Sequence, residues 1–321
     1  MEPAFINNQR IADLLPIKQC IEVMKEMFVS LGEGKILQPL RSLMWLPDRT
    51  GLLGMMPGHA ANINIMGIKI ITVFHKNNNQ GLPSHQGVVL LFDAQNGQPL
   101  MSFDASEITA IRTAAASAVA TELLARTDAS TLAIIGSGVQ AVKHIESITS
   151  VRKIQAINIW SRNNTNAEFL AKATAEKYPQ QVSVGASVRD AVENADIICT
   201  VTSSAQPVLF GQHLKEGVHI NAVGSSTPGA REIDTDALLR SSLFTDKYES
   251  LFNEAGDFII PEKEGLVSKD FVKAELGEVI TGQKEGRTSD KEITLYKSLG
   301  IAAEDIYAAW HIYKKLKKMH E

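Results

Sequence analysis

Two features of this chain have residue types and spacing that can do chemistry. The first is the turn Gly136-Ser137-Gly138-Val139-Gln140-Ala141, of the form G-x-G-x-x-A, which follows a short apolar run and precedes a plausible helix. Such a turn either reverses a strand into a helix or cradles the phosphates of a dinucleotide, and alone it does not choose between them. The second is a pair of cations in apolar surroundings. Lys69 interrupts the run Gly67-Ile68-Lys69-Ile70-Ile71, and Arg112 interrupts the alanine-rich stretch ITAIRTAAAS. A charge so placed is costly unless it is paired or meets an anionic ligand. For each cation alone, a buried salt bridge or a side chain snorkelling along apolar surface is the competing reading.

The elements that must position these residues can be read from periodicity. Ile17, Cys20, Ile21, Met24, Phe28 and Leu31 recur at helical spacing, with Gly32 as a stop. From Arg41 to Phe103 short β-rich runs alternate with turns, which predicts a mainly antiparallel sheet. Asn96-Gly97 marks a hairpin there, because both residues tolerate positive φ. The segment from Thr109 to Leu124 reads as a helix. From Ser130 the rhythm changes to strand–helix–strand: TLAIIG, IQAINIW, DIICTVT, GVHINAVG and SSLFTD are apolar runs separated by helical patterns. That alternation predicts a parallel sheet covered on both faces. The chain ends in a helix with Ile306, Ala309, Trp310, Tyr313 and Leu316 on one face, running into the basic KKLKKMHE, a solvated helix end.

Bulk composition narrows the function classes. With 321 residues, 44% hydrophobic and 21% charged, the chain has ordinary globular proportions and room for two cores. A net charge of −4 gives no electrostatic reason to expect nucleic acid or an anionic membrane. No run has the length of a membrane span, and the first residues lack the layout of a secretory signal. Cys20 and Cys199 lie far apart without metal-ligand spacing, so neither a disulfide framework nor a metal site is expected. A cytoplasmic location follows.

With a strand before it and a helix after it, the glycine turn has the context of a dinucleotide site. Gly136 permits the tight turn, Gly138 the approach of a pyrophosphate, and Ala141 close helix–strand packing. An NAD site usually ends its second strand on an acid that accepts from the ribose 2′-hydroxyl. This chain has Trp160-Ser161-Arg162-Asn163 instead. A guanidinium beside hydroxyl and amide donors suits a 2′-phosphate, which a carboxylate would repel. NADPH is therefore the expected cofactor, with NADH also possible.

At this point the sequence resembles the ornithine cyclodeaminase/mu-crystallin family over nearly its whole length. The resemblance rests on QPLRS (38–42), GIKI (67–70), GLPSHQGVVLLFD (81–93), ITAIRTAAASAVAT (108–121) and GSGVQA. HINAVGSSTPGARE (219–232), AELGEVITG (274–282) and YKSLGIAAEDI (296–306) follow in the same order. It implies an α/β fold in two parts. A Rossmann-type domain over 121–299 would bind the nicotinamide cofactor. A mainly antiparallel α+β domain built from both chain ends, 1–120 and 300–321, would carry substrate and dimer contacts.

The resemblance also implies hydride transfer between nicotinamide and the α-carbon of an amino or imino acid, with Arg41, Lys69 and Arg112 holding the substrate carboxylate. Thr113, Thr202, Val223, Lys297 and Ser298 join the turn residues and Ser161, Arg162 and Asn163 on the cofactor side. Ser84 and His85 are candidates for a substrate or nicotinamide contact, or for a locally hydrogen-bonded pair. His59 and His219 are expected to satisfy local structure. Glu275 and Glu278 share one helical face and are read as structural.

Family members include ornithine cyclodeaminases, alanine dehydrogenases, ketimine reductases and a ligand-binding crystallin, so membership alone leaves the reaction open. The cyclodeaminases and alanine dehydrogenase-like members carry an aspartate where this chain has Ser226. A serine hydroxyl without a neighbouring base cannot accept a proton near neutral pH. The resemblance at this position is to the ketimine reductase members, which implies reduction of Δ1-pyrroline-2-carboxylate to L-proline, and of Δ1-piperideine-2-carboxylate to L-pipecolate, by a homodimer.

Overall fold

The computed structural model describes residues 4–74, 76–77 and 81–320, and it divides into two compact units, Met1–Thr113 with Gly300–Glu321, and Ala114–Leu299. The division falls inside one long helix.

The first unit opens with β1 (Phe5–Ile6), α1 (Asn8–Leu14) and α2 (Ile17–Gly32). The helical spacing read from the sequence is the face that α2 buries: Ile17, Cys20, Ile21, Met24, Phe28 and Leu31 are all inside. Next come β2 (Ile36–Leu37), β3 (Ser42–Trp45), β4 (Leu52–Ala60), β5 (Ile65–Val73), β6 (His85–Asp93) and β7 (Pro99–Asp104). Among the described residues they form a seven-stranded sheet in the order β1-β7-β6-β5-β4-β2, with β3 also on β4; all pairs are antiparallel except β1 with β7. The β6–β7 hairpin forms, but its turn differs from the expectation. Gly97 N donates to Asp93 O and Asp93 N to Gln98 O, so the connection spans 94–97. Gly97 has positive φ and Asn96 does not; the Asn96 side chain instead accepts from Gln98 N at 2.8 Å. The helix α3 (Ala105–Leu124) starts earlier than its alanine pattern, because Asp104 Oδ1 accepts from Ser106 N and Glu107 N.

The second unit runs β8 (Thr131–Ile135), α4 (Val139–Val151), β9 (Ala156–Trp160), α5 (Asn164–Lys177), β10 (Gln181–Val184), α6 (Val188–Val192), β11 (Ile197–Thr200) and β12 (His219–Ala222). It continues with α7 (Thr235–Leu239), β13 (Ser242–Thr245), α8 (Tyr248–Glu254), α9 (Gly256–Lys263), β14 (Val272–Glu275), α10 (Leu276–Ile280) and β15 (Thr294–Lys297). Among the described residues its sheet is eight-stranded and parallel throughout, in the order β10-β9-β8-β11-β12-β15-β13-β14. This is a Rossmann-type arrangement. Strand order reverses between β8 and β11, the place where open parallel sheets bind ligands beyond their strand ends. The edge strands β10 and β14 and the internal β15 escaped the apolar pattern, since each is short and carries polar residues. Continuous apolar runs such as Leu132–Ile135 and Ile197–Cys199 are wholly buried, as strands covered on both faces must be.

The last helix, α11 (Ala302–His320), returns to the first unit and packs against α2, β4 and β5. Glu321, which ends the basic run, lies outside the described residues. No described helix is long and apolar enough to cross a membrane.

Candidate active site

The glycine turn joins β8 to α4 in the second unit. Gly136 N donates to Trp160 O at 2.8 Å, and Gly136 takes φ +130, a conformation L side chains avoid. A Cβ there would stand 2.8 Å from Val201 O. Gly138 is the N-cap of α4 and provides no side-chain cap, while a Cβ built on it would meet nothing within 4 Å. The start of α4 thus has no side-chain cap and opens to the surface at Gly138. Val139 is exposed, and the Gln140 carbonyl is held by His144 Nδ1 at 2.8 Å. His144 Nε2 meets Ser117 Oγ of α3 at 2.9 Å; burial pushes this imidazole down to about 4, so the neutral ring acts as a pin behind the turn.

At the end of β9, Ser161 Oγ lies 2.8 Å from Ser137 Oγ, which ties the second strand to the turn. Arg162 and Asn163 are exposed, and Asn163 Oδ1 caps α5 by accepting from Asn166 N. At the ends of β11 and β12, Val223 N donates to Thr200 O at 3.0 Å and Thr202 N to Glu232 Oε1 at 2.6 Å. The Ser298 hydroxyl, just after β15, is buried without a hydrogen-bond partner among the described residues. An open, uncapped helix start and an orphaned buried hydroxyl suit a dinucleotide: Gly136 to Gln140 for the phosphates, Ser161 to Asn163 for the adenosine end.

Ser226 is half-buried in the loop after β12. Of the two acids of that loop, Asp234 caps α7 by accepting from Ala237 N at 2.8 Å, and Glu232 is fully buried and accepts from Thr200 Oγ1 at 2.8 Å, Thr202 N at 2.6 Å and Gly224 N at 2.6 Å. Burial raises the Glu232 pKa above the ordinary carboxylate value. Asp257 Oδ1 accepts from Glu232 N and Ile233 N, and Asp257 Oδ2 faces Lys297 Nζ at 2.8 Å. The Lys297 ammonium, expected on the cofactor side, is therefore matched to Asp257 inside the unit.

In the first unit, Lys69 on β5 and Arg112 on α3 are 3% and 4% exposed, and the structure brings them together on one carboxylate. Asp305 Oδ2 lies 2.7 Å from Lys69 Nζ, and Oδ1 accepts from Arg112 Nε at 3.1 Å. Glu304 Oε2 takes Arg112 Nη1 at 2.5 Å. The salt-bridge reading left open by the sequence is thus realised. Burial pushes the Lys69 ammonium down to about 8, against the pull of Asp305, whereas Arg112 is raised because Asp305 and Glu304 outweigh the cost of its burial. Arg41, after β2, donates through Nη2 to Gly300 O at 3.0 Å. Gly300 has φ +70, and a Cβ on it would stand 2.6 Å from Arg112 Nη1. Thr113, next to Arg112, is buried.

Ser84 and His85 do not join this group. Ser84 Oγ bonds His85 Nδ1 at 3.0 Å, and His85 pairs with Val73 while Lys69 pairs with Val89. At about 3.3 Å per residue this leaves His85 roughly 13 Å along the strand from the cations. His219 is buried with Nδ1 at 3.0 Å from Thr294 Oγ1, and Glu275 and Glu278 form the capping box of α10. Reasoning from sequence missed Glu304 and Asp305. Their signal was present in YKSLGIAAEDI: two adjacent acids in the first turn of a helix with a buried face are ordinary dipole partners, but two buried cations also require counter-charges.

The model of the ornithine cyclodeaminase/mu-crystallin family matches residues 1–320. Ketimine reductase mu-crystallin of Mus musculus is 38% identical over 315 residues, 97% of this chain and 96% of the relative. A solved Δ1-pyrroline-2-carboxylate reductase of Thermococcus litoralis, in complex with NADH and L-proline, superposes with a TM-score of 0.95 at 35% identity, covering 98% of both chains. An archaeal alanine dehydrogenase dimer with bound NAD gives a TM-score of 0.94 at 28% identity, covering 100% of this chain and 98% of the other. The glycine turn and the sheet of the second unit, with these end-to-end matches, lead to one conclusion: the chain belongs to the ornithine cyclodeaminase/mu-crystallin family.

Proposed function

We propose that this protein reduces cyclic ketimines, Δ1-pyrroline-2-carboxylate to L-proline and Δ1-piperideine-2-carboxylate to L-pipecolate, with NADPH preferred over NADH. The observation that carries the choice of reaction is the loop after β12: it has Ser226 where an acid would be needed, and both of its acids are engaged, Glu232 by Thr200, Thr202 and Gly224 and Asp234 by Gly211 N and Ala237 N. A loop so built has no base to drive amine oxidation, whereas a protonated cyclic imine is already electrophilic and asks mainly for alignment.

The chain's residues divide the work. Arg41, Lys69 and Arg112 bind the substrate carboxylate, and the uncapped start of α4 binds the coenzyme phosphates. When bound, the reduced nicotinamide supplies the hydride. Thr202, Val223 and Ser298 serve the coenzyme, and Ser226 takes the place of the acid that amine oxidation would need. The exposed Arg162, next in sequence to Ser161 and Asn163, supports the preference, since a guanidinium suits a 2′-phosphate.

The test supplies each imine with NADPH and with NADH and follows loss of the reduced coenzyme. Turnover of at least one imine is expected, with kcat/KM roughly tenfold higher for NADPH, the worth of one charge-assisted hydrogen bond. No turnover of either imine, or release of ammonia and proline from L-ornithine with NAD, would overturn the reading.

The working form is a homodimer joined through the sheet of the first unit. All of β3 is exposed, with Leu43, Met44 and Trp45 at 43%, 54% and 42%, and Leu37 of β2 at 71%. Such a patch on a lone subunit is a liability, and the archaeal relative is a dimer. Light scattering is expected to give twice the mass of the chain, and Trp45→Glu to shift it toward the single chain. The buried thiols Cys20 and Cys199 fit a reducing, cytoplasmic setting.

A further inference from the structure

We propose that Asp305 is a positioning residue of this site: a single buried carboxylate that holds Lys69 through Oδ2 and Arg112 through Oδ1, and so fixes the place of both cations and keeps Lys69 charged. The proposal rests on the reading that these cations meet an anionic substrate.

The geometry distinguishes Asp305 from its neighbour. Glu304 Oε2 meets Arg112 Nη1, whereas Asp305 joins β5, α3 and α11 at one point, with its side chain fully buried. Bridging two cations by one carboxylate fixes where each stands relative to the other. An ammonium has three N–H donors and a guanidinium five, more than Asp305 and Glu304 engage, so the bridge leaves donors for a ligand.

The Lys69 amine is faced by Asp305 from α11, by Arg112 and the Thr109 hydroxyl (3.4 Å) from α3, and by Arg41 from the segment after β2. Burial, Arg112 and Arg41 all disfavour its proton, and Asp305 favours it. Removing the Asp305 charge therefore lowers the Lys69 pKa from about 8, and the amine becomes neutral at a lower pH.

The experiment compares Asp305→Asn, Asp305→Glu and Glu304→Gln in the full-length protein. If charged Lys69 is required, kcat/KM of the parent falls as pH rises through about 8. In Asp305→Asn that limb is expected at least about one pH unit lower, with KM for the imine raised at least about tenfold and coenzyme affinity unchanged. Asp305→Glu should recover most of the limb's position, and Glu304→Gln should leave it in place. A limb that stays put in folded Asp305→Asn overturns the proposal. A second arm needs no turnover: the Lys69 Nζ titration is read by nitrogen NMR on 15N-lysine protein, assigned with Lys69→Arg. A lower midpoint in Asp305→Asn supports the hold on Lys69 even if neither imine reacts, which would sink only the substrate reading. An unchanged midpoint overturns the hold itself.

Discussion

An Arg112→Met variant is expected to lose about 3–5 kcal/mol of unfolding free energy, because it strands buried carboxylates that its guanidinium had matched. Methionine keeps much of the length and apolar stem, so the loss measures the charge rather than a cavity. Glu304 loses the Arg112 guanidinium, and Asp305 loses one of the two cations it bridges. A buried carboxylate that loses a matching cation holds its proton more readily. A raised native pKa favours the fold on the acid side, so the deficit should narrow as pH falls. Urea unfolding at several pH values reads this directly. Imine turnover should fall by more than about a hundredfold in the same variant, as for a lost contact to substrate charge worth about 3 kcal/mol. A variant with parental stability would mean that the cluster is not closed around Arg112.

Gly136→Ala is expected to abolish coenzyme binding, weakening it by about a hundredfold or more, or about 3 kcal/mol. Two costs coincide at this position: φ of +130, and a methyl 2.8 Å from Val201 O and 3.1 Å from Val201 C, which are backbone atoms that cannot rotate away. The turn must therefore move, and with it the Gly136 N to Trp160 O bond that seats it. Gly138→Ala is the informative contrast. Its φ is −85 and its Cβ would meet nothing, so the thermal midpoint should hold while coenzyme binding weakens. Coenzyme titration alongside thermal unfolding separates the two. Equal behaviour of both variants would remove the steric account of the turn.

The glycine turn was legible in the sequence because it is local: strand, turn and helix are consecutive, and each glycine has a backbone reason. The buried face of α2 and the β4–β7 meander were legible for the same reason, through periods of 3.6 and 2. The partners of Lys69 and Arg112 were not, since Glu304 and Asp305 come from the far end of the chain and look like ordinary acids at a helix start. The anchoring of Glu232 was equally hidden, because its partners Thr200, Thr202 and Gly224 come together only once β11 and β12 are side by side. The resemblance put Lys297 on the cofactor side, but its match to Asp257 depends on where α9 packs.

The position of β15 between β12 and β13 has a consequence for synthesis on the ribosome. Until residues 294–297 emerge, two nascent strands lack the neighbour that joins them, and the counter-charges for Lys69 and Arg112 follow only a few residues later on α11. One short late stretch thus completes both halves of the molecule. Translation that stops just before it leaves an open sheet edge and unmatched cations in an apolar setting, a product for quality control rather than a partly active enzyme.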